Sequence, residues 1–289
     1  MDRREGTTNG SLLCGLIGAG IQRSLAPALQ QAEARQHGLA LHYQLIDLDA
    51  SSRGTAALPT LIDAARLMRF AGLNITYPCK QLVIPLLDAV SDEAEAIGAV
   101  NTVVRSGDRL VGHNTDGSGW SWGFRRALPG TDLSCVVLLG AGGAGSACAD
   151  AVLRLGAARL VIVDQDAPRA AALAARLNAH IGGGRASAST DLRAALGGAS
   201  GLIHATPTGM AAVPGMPLRD EWLRPTMWVS EVVYVPLETA LLKAARRIGC
   251  ATADGGHMNV GQAIGAFKLF TGLDADAARM DAHFRRLVA

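Results

Sequence analysis

The chain has 289 residues, 49% of them hydrophobic and 18% charged, which suits two folded domains and excludes both a single small core and a disordered chain. Its formal net charge is +2 and its basic residues are scattered, so there is no electrostatic footprint for nucleic acid or an anionic membrane. The five cysteines are odd in number and form no CxxC pair, so free thiols in a reducing, cytoplasmic compartment are expected, without a metal site.

Residues 1–10, polar and ending in Asn9-Gly10, read as a loose tail. The apolar stretch 11–21 holds three glycines and runs into Gln22 and Arg23, the pattern of a buried strand rather than a signal peptide. A strand over 12–17, a helix over 27–37 stopped by Gly38 and a strand over 42–48 follow, then a short strand over 73–75 and a helix over 91–96. Such alternation predicts a parallel, helix-covered sheet. From Asn114 a second unit begins: a helix through 120–127, a strand over 134–139, a helix over 144–155 and a strand over 160–163, with further strands over 201–205 and 227–233. The uncharged stretch 136–149 is too short to span a membrane and is broken by four glycines, so a soluble protein is expected. Helical segments 260–270 and 274–288 close the chain. The expected architecture is α/β with two domains: an N-terminal α/β domain, 1–113 plus the returning helices 260–289, and a Rossmann-type doubly wound parallel sheet, 114–259.

Gly140, Gly142 and Gly145 satisfy GxGxxG, a weak pattern alone in a chain with 34 glycines. Here an apolar strand precedes it, a helix follows, and another strand comes a βαβ length later. Glycines permit the tight turn and close backbone approach, and the helix start offers N–H groups to a pyrophosphate. Asp164 ends the next strand, where a carboxylate accepts from an adenosine ribose diol; the alternative is an N-cap for the following helix. A 2′-phosphate there would meet Asp164 and Asp166 with no arginine adjacent, Arg169 lying further on, so NAD is expected over NADP.

Three segments place polar groups at strand ends or in the loops after them: Asn74-Ile75-Thr76-Tyr77-Pro78-Cys79-Lys80, Gly98-Ala99-Val100-Asn101-Thr102, and Gly112-His113-Asn114-Thr115-Asp116. Taken singly, their Asn and Thr residues are equally turn formers, and Asp116 an N-cap. Lys80 is one of only three lysines against 24 arginines, so a compact, titratable ammonium is kept there. Together these segments resemble the shikimate dehydrogenase family, whose patterns NxTxPxK, GAxNT and GxNTD occur in this order. The resemblance continues through Gly140–Ala144, through His204-Ala205-Thr206-Pro207-Thr208-Gly209-Met210 (the family's N-A-T-P-x-G-M), through Tyr234-Val235-Pro236, and through Gly256-His257-Met258-Asn259-Val260-Gly261-Gln262. It runs from about Gly18 to Gly272.

The resemblance implies a cytoplasmic oxidoreductase, monomeric or homodimeric, that moves a hydride between NAD and a ring secondary alcohol of shikimate, quinate or a close cyclic hydroxy acid. The family's acid/base pair maps onto Lys80 and Asp116. An unperturbed lysine titrates at about 10.4, and a nearby carboxylate holds it charged, so Lys80 is the expected acid/base with Asp116 orienting it. Ser24, Thr76, Asn101, Gln262 and Tyr234 would hold substrate. Gly140, Ala141, Gly142, Gly143, Ala144, Asp164, Thr206, Met210 and Met258 would hold the cofactor; for Tyr234 and Met258 core packing is the alternative. This sequence departs from the family's G-x-P-I-x-H-S-x-S-P: Ser24 is present, but Ala26 replaces the second serine and Arg23 the histidine. One lost donor to a carboxylate costs about 1.5–3 kcal/mol unless Arg23 compensates with a bidentate grip. Two alternatives therefore stand: a different ring acid, such as an aminoshikimate-like one, and a regulator binding NAD and a ring acid without turnover.

Overall fold

A computed structural model describes residues 11–288; the expected N-terminal tail, 1–10, lies outside the described residues. The chain divides into two compact units, one running up to Thr115 and taking in Ala263–Leu287, the other formed by Asp116–Gln262.

The first unit contains β1 (Ser11–Gly18), α1 (Ala26–Gln36), β2 (Ala40–Asp47), α2 (Leu58–Leu67), β3 (Gly72–Ile75), β4 (Ala89–Val90), α3 (Asp92–Ile97), β5 (Thr102–Ser106) and β6 (Arg109–His113). Its sheet has the order β2-β1-β3-β5-β6-β4. The sheet is mixed rather than parallel throughout, because β5 runs antiparallel to both β3 and β6. The cause is local: Ser106 pairs with Arg109 across a two-residue Gly107-Asp108 turn, and a connection that short can join only antiparallel strands. β1 is buried among β2 and β3, and its Cys14, Leu16 and Ile17 lie in the core.

The second unit contains α4 (Asp116–Ala127), β7 (Val136–Leu139), α5 (Gly143–Arg154), β8 (Leu160–Val163), α6 (Ala167–Ile181), β9 (Ala186–Ser189), α7 (Leu192–Gly197), β10 (Gly201–His204), β11 (Trp228–Glu231), α8 (Ala240–Ile248) and β12 (Ala251–Ala253). Its sheet, ordered β12-β11-β10-β7-β8-β9, is parallel throughout. β7 and β10 are buried along their whole length, as strands covered on both faces must be. The order reverses direction beside β7, the switch point at which open α/β sheets bind ligands.

α9 (Gly255–Thr271) starts in the second unit, and α10 (Ala277–Val288) ends the chain. From Ala263 onward these helices belong to the first unit, where Phe267 and Phe270 pack with Cys14, Leu16, Leu41 and Tyr43. Glu33 of α1, buried, accepts from Arg279 Nη2 at 2.6 Å, Arg279 Nε at 2.8 Å and the Asp276 N–H at 2.8 Å. Among the described residues no helix is long and apolar enough to cross a membrane.

Candidate active site

In the first unit the loops after β1 and β3 run side by side: the Thr76 N–H donates to the Ile17 carbonyl and the Ala19 N–H to the Tyr77 carbonyl, both at 2.9 Å. Glycine is required at 18, where a Cβ would overlap the Thr76 methyl. Asp47, the last residue of β2, braces the first loop. It accepts from the Gly20 N–H (3.0 Å), the Ile21 N–H (3.2 Å), Gln22 Nε2 (3.0 Å) and the Asp49 N–H (3.1 Å). Desolvation pushes its carboxyl up, but these donors outweigh it and hold Asp47 below the usual range. Further along the same loop Ser24 Oγ accepts from the Ala26 N–H at 3.3 Å, and Arg23 is exposed.

Behind these loops a chain of buried side chains ties the three polar motifs together. The Tyr43 hydroxyl donates to Asn74 Oδ1 at 2.6 Å, and Asn74 Nδ2 donates to Thr102 Oγ1 at 3.1 Å and to the Asn101 carbonyl at 3.3 Å. Asn101 Oδ1 accepts from the Thr115 N–H (2.8 Å) and Thr102 Oγ1 (2.9 Å), while its Nδ2 donates to Thr115 Oγ1 (3.0 Å). The Val100 N–H donates to the Lys80 carbonyl at 2.8 Å. The flank of Lys80 and the residue before Asp116 are thus pinned to one frame. Burying amides and hydroxyls is tolerable only when they are bonded in this way. Burial also raises Tyr43 well above its ordinary range, with Cys14 adding to it, so its hydroxyl stays a donor. Lys80 and Thr76 are half-buried. Cys79 is a buried free thiol that burial pushes up, which fits a neutral wall residue.

In the second unit Gly140 adopts φ +103°, and a Cβ on it would approach the Ala205 carbonyl oxygen at 2.7 Å; a Cβ on Gly145 would overlap the Gly140 carbonyl oxygen. The turn therefore closes tightly over the start of α5 only with glycine at both places. Gly142, the N-cap of α5, is exposed, with no heavy atom within 4 Å of where its Cβ would lie. This open cradle at a helix start, with N–H groups that have no partner inside the helix, fits a pyrophosphate.

Asp164, after β8, accepts from the Ala141 N–H at 2.6 Å and from the Asp166 N–H at 2.8 Å. It therefore braces the glycine turn, and the N-cap of α6 is Asp166 instead, accepting from the Arg169 N–H at 3.1 Å. The expectation that no arginine adjoins these carboxylates is corrected. Arg169 sits one helical turn into α6 and reaches back, with Nη2 3.0 Å from Asp166 Oδ2 and Nη1 3.9 Å from Asp164 Oδ1.

Of the remaining expected residues, Thr206 lies in the loop after β10, and Met210 is exposed. Met258 is buried in the core cluster with Trp120 and Trp228. Burial raises the Tyr234 hydroxyl, a side-chain hydrogen bond with Asn259 opposing it in part, and Gln262 Nε2 donates to the Asn259 carbonyl at 3.1 Å. Ser24, Thr76, Lys80 and Asn101 belong to the first unit; Asp116, Tyr234, Met258, Gln262 and the glycine turn belong to the second. Sequence reading missed Asp47, whose only signal was its place at a strand end. It also passed over the fully buried pair His204 and Glu231, although His204 stands where the resembled pattern carries asparagine.

An α/β unit followed by a Rossmann-type nucleotide-binding sheet defines a two-domain class common among dehydrogenases. A family model described as the shikimate dehydrogenase substrate binding domain matches residues 16–103. A shikimate dehydrogenase (NADP(+)) of Streptomyces avermitilis is 55% identical over 97% of this chain and 97% of its own. A quinate/shikimate dehydrogenase (NAD(+)) of Corynebacterium glutamicum is 46% identical over 96% and 100%. Among solved structures, quinate dehydrogenase from Corynebacterium glutamicum in complex with NAD superposes with a TM-score of 0.90 at 44% identity, covering 96% of this chain and 99% of that one. The chain belongs to the shikimate dehydrogenase family.

Proposed function

We propose that this protein is a cytoplasmic, NAD-preferring dehydrogenase that moves a hydride between NAD and a ring secondary alcohol of shikimate, quinate or a close cyclic hydroxy acid. The observation that carries this reading is the buried frame of Asn74, Asn101, Thr102 and Thr115, which holds the segments leading to the acid/base candidates. A site that must hold a proton donor to within a fraction of an ångström needs such support.

When bound, the nicotinamide ring supplies the hydride acceptor. The protein's own part is to move the hydroxyl proton and hold the ring. Lys80 carries the proton at the reacting oxygen, and Asp116 is the other member of the acid/base pair. Ser24, Thr76, Asn101, Gln262 and Tyr234 hold the carboxylate and the remaining hydroxyls, most of them able to donate and accept. Ser24 acts without the second serine, Arg23 before it being exposed. Gly140–Ala144 hold the pyrophosphate, Asp164 the adenosine ribose, and Thr206, Met210 and Met258 the nicotinamide end.

The preference for NAD rests on Asp164 and Asp166, which would repel a 2′-phosphate, and on the NAD named with the quinate-linked relatives. Arg169 offsets part of that repulsion, so the preference is finite. The protein acts on small molecules alone, as a monomer or homodimer, without nucleic acid or membrane.

Initial rates with NAD and NADP crossed against shikimate and quinate test the proposal. Saturable turnover, faster per unit concentration with NAD, is expected. Absence of turnover with every pair, alongside intact NAD binding by calorimetry, would identify a binder instead.

A further inference from the structure

His204 closes β10 and Glu231 closes β11, directly opposite in the parallel register, and both side chains are fully buried. Proton placement follows from their neighbours. The Leu242 N–H donates to Thr239 Oγ1 at 3.2 Å, so the Thr239 hydroxyl proton is directed to Glu231 Oε2 at 3.0 Å. The Val232 and Val233 N–H groups donate to Glu231 Oε1 at 2.9 and 3.0 Å. All these partners of the carboxylate are donors, so His204 Nδ1, 2.8 Å from Oε1, carries its proton toward Glu231. In the singly protonated imidazole Nε2 is then an acceptor, and its 2.6 Å contact with Thr206 Oγ1 takes the threonine proton. Committed inward, Thr206 presents only lone pairs elsewhere, one of them toward the Thr208 N–H at 3.4 Å.

We propose that the Glu231–His204 pair is a positioning device that fixes Thr206 Oγ1 as a hydrogen-bond acceptor for a donor group of the bound dinucleotide, either the carboxamide N–H2 or a ribose hydroxyl. The inference rests on the reading above that the loop after β10 holds the cofactor. A threonine hydroxyl ordinarily turns to suit its ligand; here buried charge and backbone donors have settled its direction before the ligand arrives. A half-exposed acceptor held this way discriminates by chemistry, since a ligand lacking the donor meets lone pair against lone pair.

Thr206→Val removes the acceptor while keeping the shape, and Thr206→Ser keeps the hydroxyl. By calorimetry, NADH binding is expected to weaken about three- to tenfold in Thr206→Val and to recover in Thr206→Ser. The same titration with the reduced 3-acetylpyridine analogue, which lacks the amide N–H2, separates the sources. A loss confined to NADH assigns the carboxamide, and a loss with both dinucleotides assigns a ribose hydroxyl. His204→Leu removes the acceptor that orients Thr206, and His204→Asn, whose amide reaches Glu231 but ends short of Thr206, removes it too, so both should weaken NADH binding by up to the loss seen in Thr206→Val. Nitrogen-15 NMR of the parent should report the Nδ1–H tautomer for His204. A proton on Nε2, whether in the other tautomer or in a doubly protonated ring, or an unchanged NADH affinity in Thr206→Val, overturns the device while leaving the dehydrogenase reading intact. Failure of the parent to bind NADH or NADPH at all would instead remove the dehydrogenase reading.

Discussion

Asp164→Ala separates two duties held by one carboxylate. Its Oδ2 accepts from the Ala141 N–H at 2.6 Å and its Oδ1 from the Asp166 N–H at 2.8 Å. Ala141 is 5% exposed, so its N–H would be left without water, whereas Asp166 is exposed and its N–H can be rehydrated. Losing a charged acceptor from a buried N–H costs about 1.5–3 kcal/mol. At about 2–4 °C per kcal/mol for a unit of this size, Tm should fall by about 3–12 °C. NADH affinity should fall about tenfold or more, since the charged acceptor proposed for the adenosine ribose diol is lost. NADPH should lose less, because a like-charge contact worth about 1 kcal/mol near 4 Å in water disappears with the carboxylate. Asp164→Asn distinguishes the duties: its carbonyl still accepts from Ala141, so Tm should largely recover while the NADH-to-NADPH affinity ratio stays compressed. Thermal unfolding and calorimetric titration with each reduced dinucleotide read both quantities. An unchanged Tm together with an unchanged ratio in Asp164→Ala would refute the reasoning.

Lys80→Ala should lower kcat by about 10²- to 10⁴-fold with NADH affinity nearly unchanged; equal loss of both would remove its acid/base role. Asp47→Ala should raise KM for the ring acid several-fold through loosening of residues 20–22, with cofactor affinity preserved, and an unchanged KM would show that the loop holds its shape without the carboxylate. Burial pushes Glu33 up, but Arg279, the Asp276 N–H and His37 together hold it below the usual glutamate range. A lowered folded pKa contributes stability above the unfolded pKa of about 4.3 and loses it as pH falls through the folded value. Urea unfolding at several pH values should accordingly show a loss of stability below about pH 4.3 that is shallower in Glu33→Gln, and an identical slope in both proteins would contradict the assignment.

The alternation of strands and helices was legible because period and punctuation are local properties: Leu160–Val163 is bounded as its apolar run suggests, and Gly38 follows α1 in the left-handed conformation. The antiparallel β5 was also written locally, in Gly107-Asp108 between two β-rich runs, but an overall α/β rhythm masks a single hairpin. α9 begins at Gly255, five residues before the expected start, because Gly255 packs against the Val232 and Val233 carbonyls where any side chain would collide. That reason is tertiary and has no local trace. The same distinction separates the candidate residues. Motif spacing exposed Lys80, Asn101 and Asp116, whereas Asp47 and Arg169 act through contacts 25 or so residues away or one helical turn back, visible only once the chain is folded.

Asn74, His204 and Glu231 lie buried at or near the carboxyl ends of their strands, and this placement has a mechanical consequence. Apolar packing is non-directional and tolerates a rotated side chain; a buried amide or carboxylate tolerates no such rotation, because each unsatisfied group costs about 1–3 kcal/mol. Asn74, Asn101 and Thr115 impose that condition on the segments flanking Lys80 and Asp116, and Glu231, His204 and Thr239 impose it on the loop holding Thr206. Hydrophobic replacement of both partners of a bond, in shapes that fill the same space, could leave the unit folded, yet it would release the geometry of residues that never change identity. Loss of precision with retained stability is therefore the signature that separates these frames from ordinary core, where a cavity lowers stability first and function only as a result.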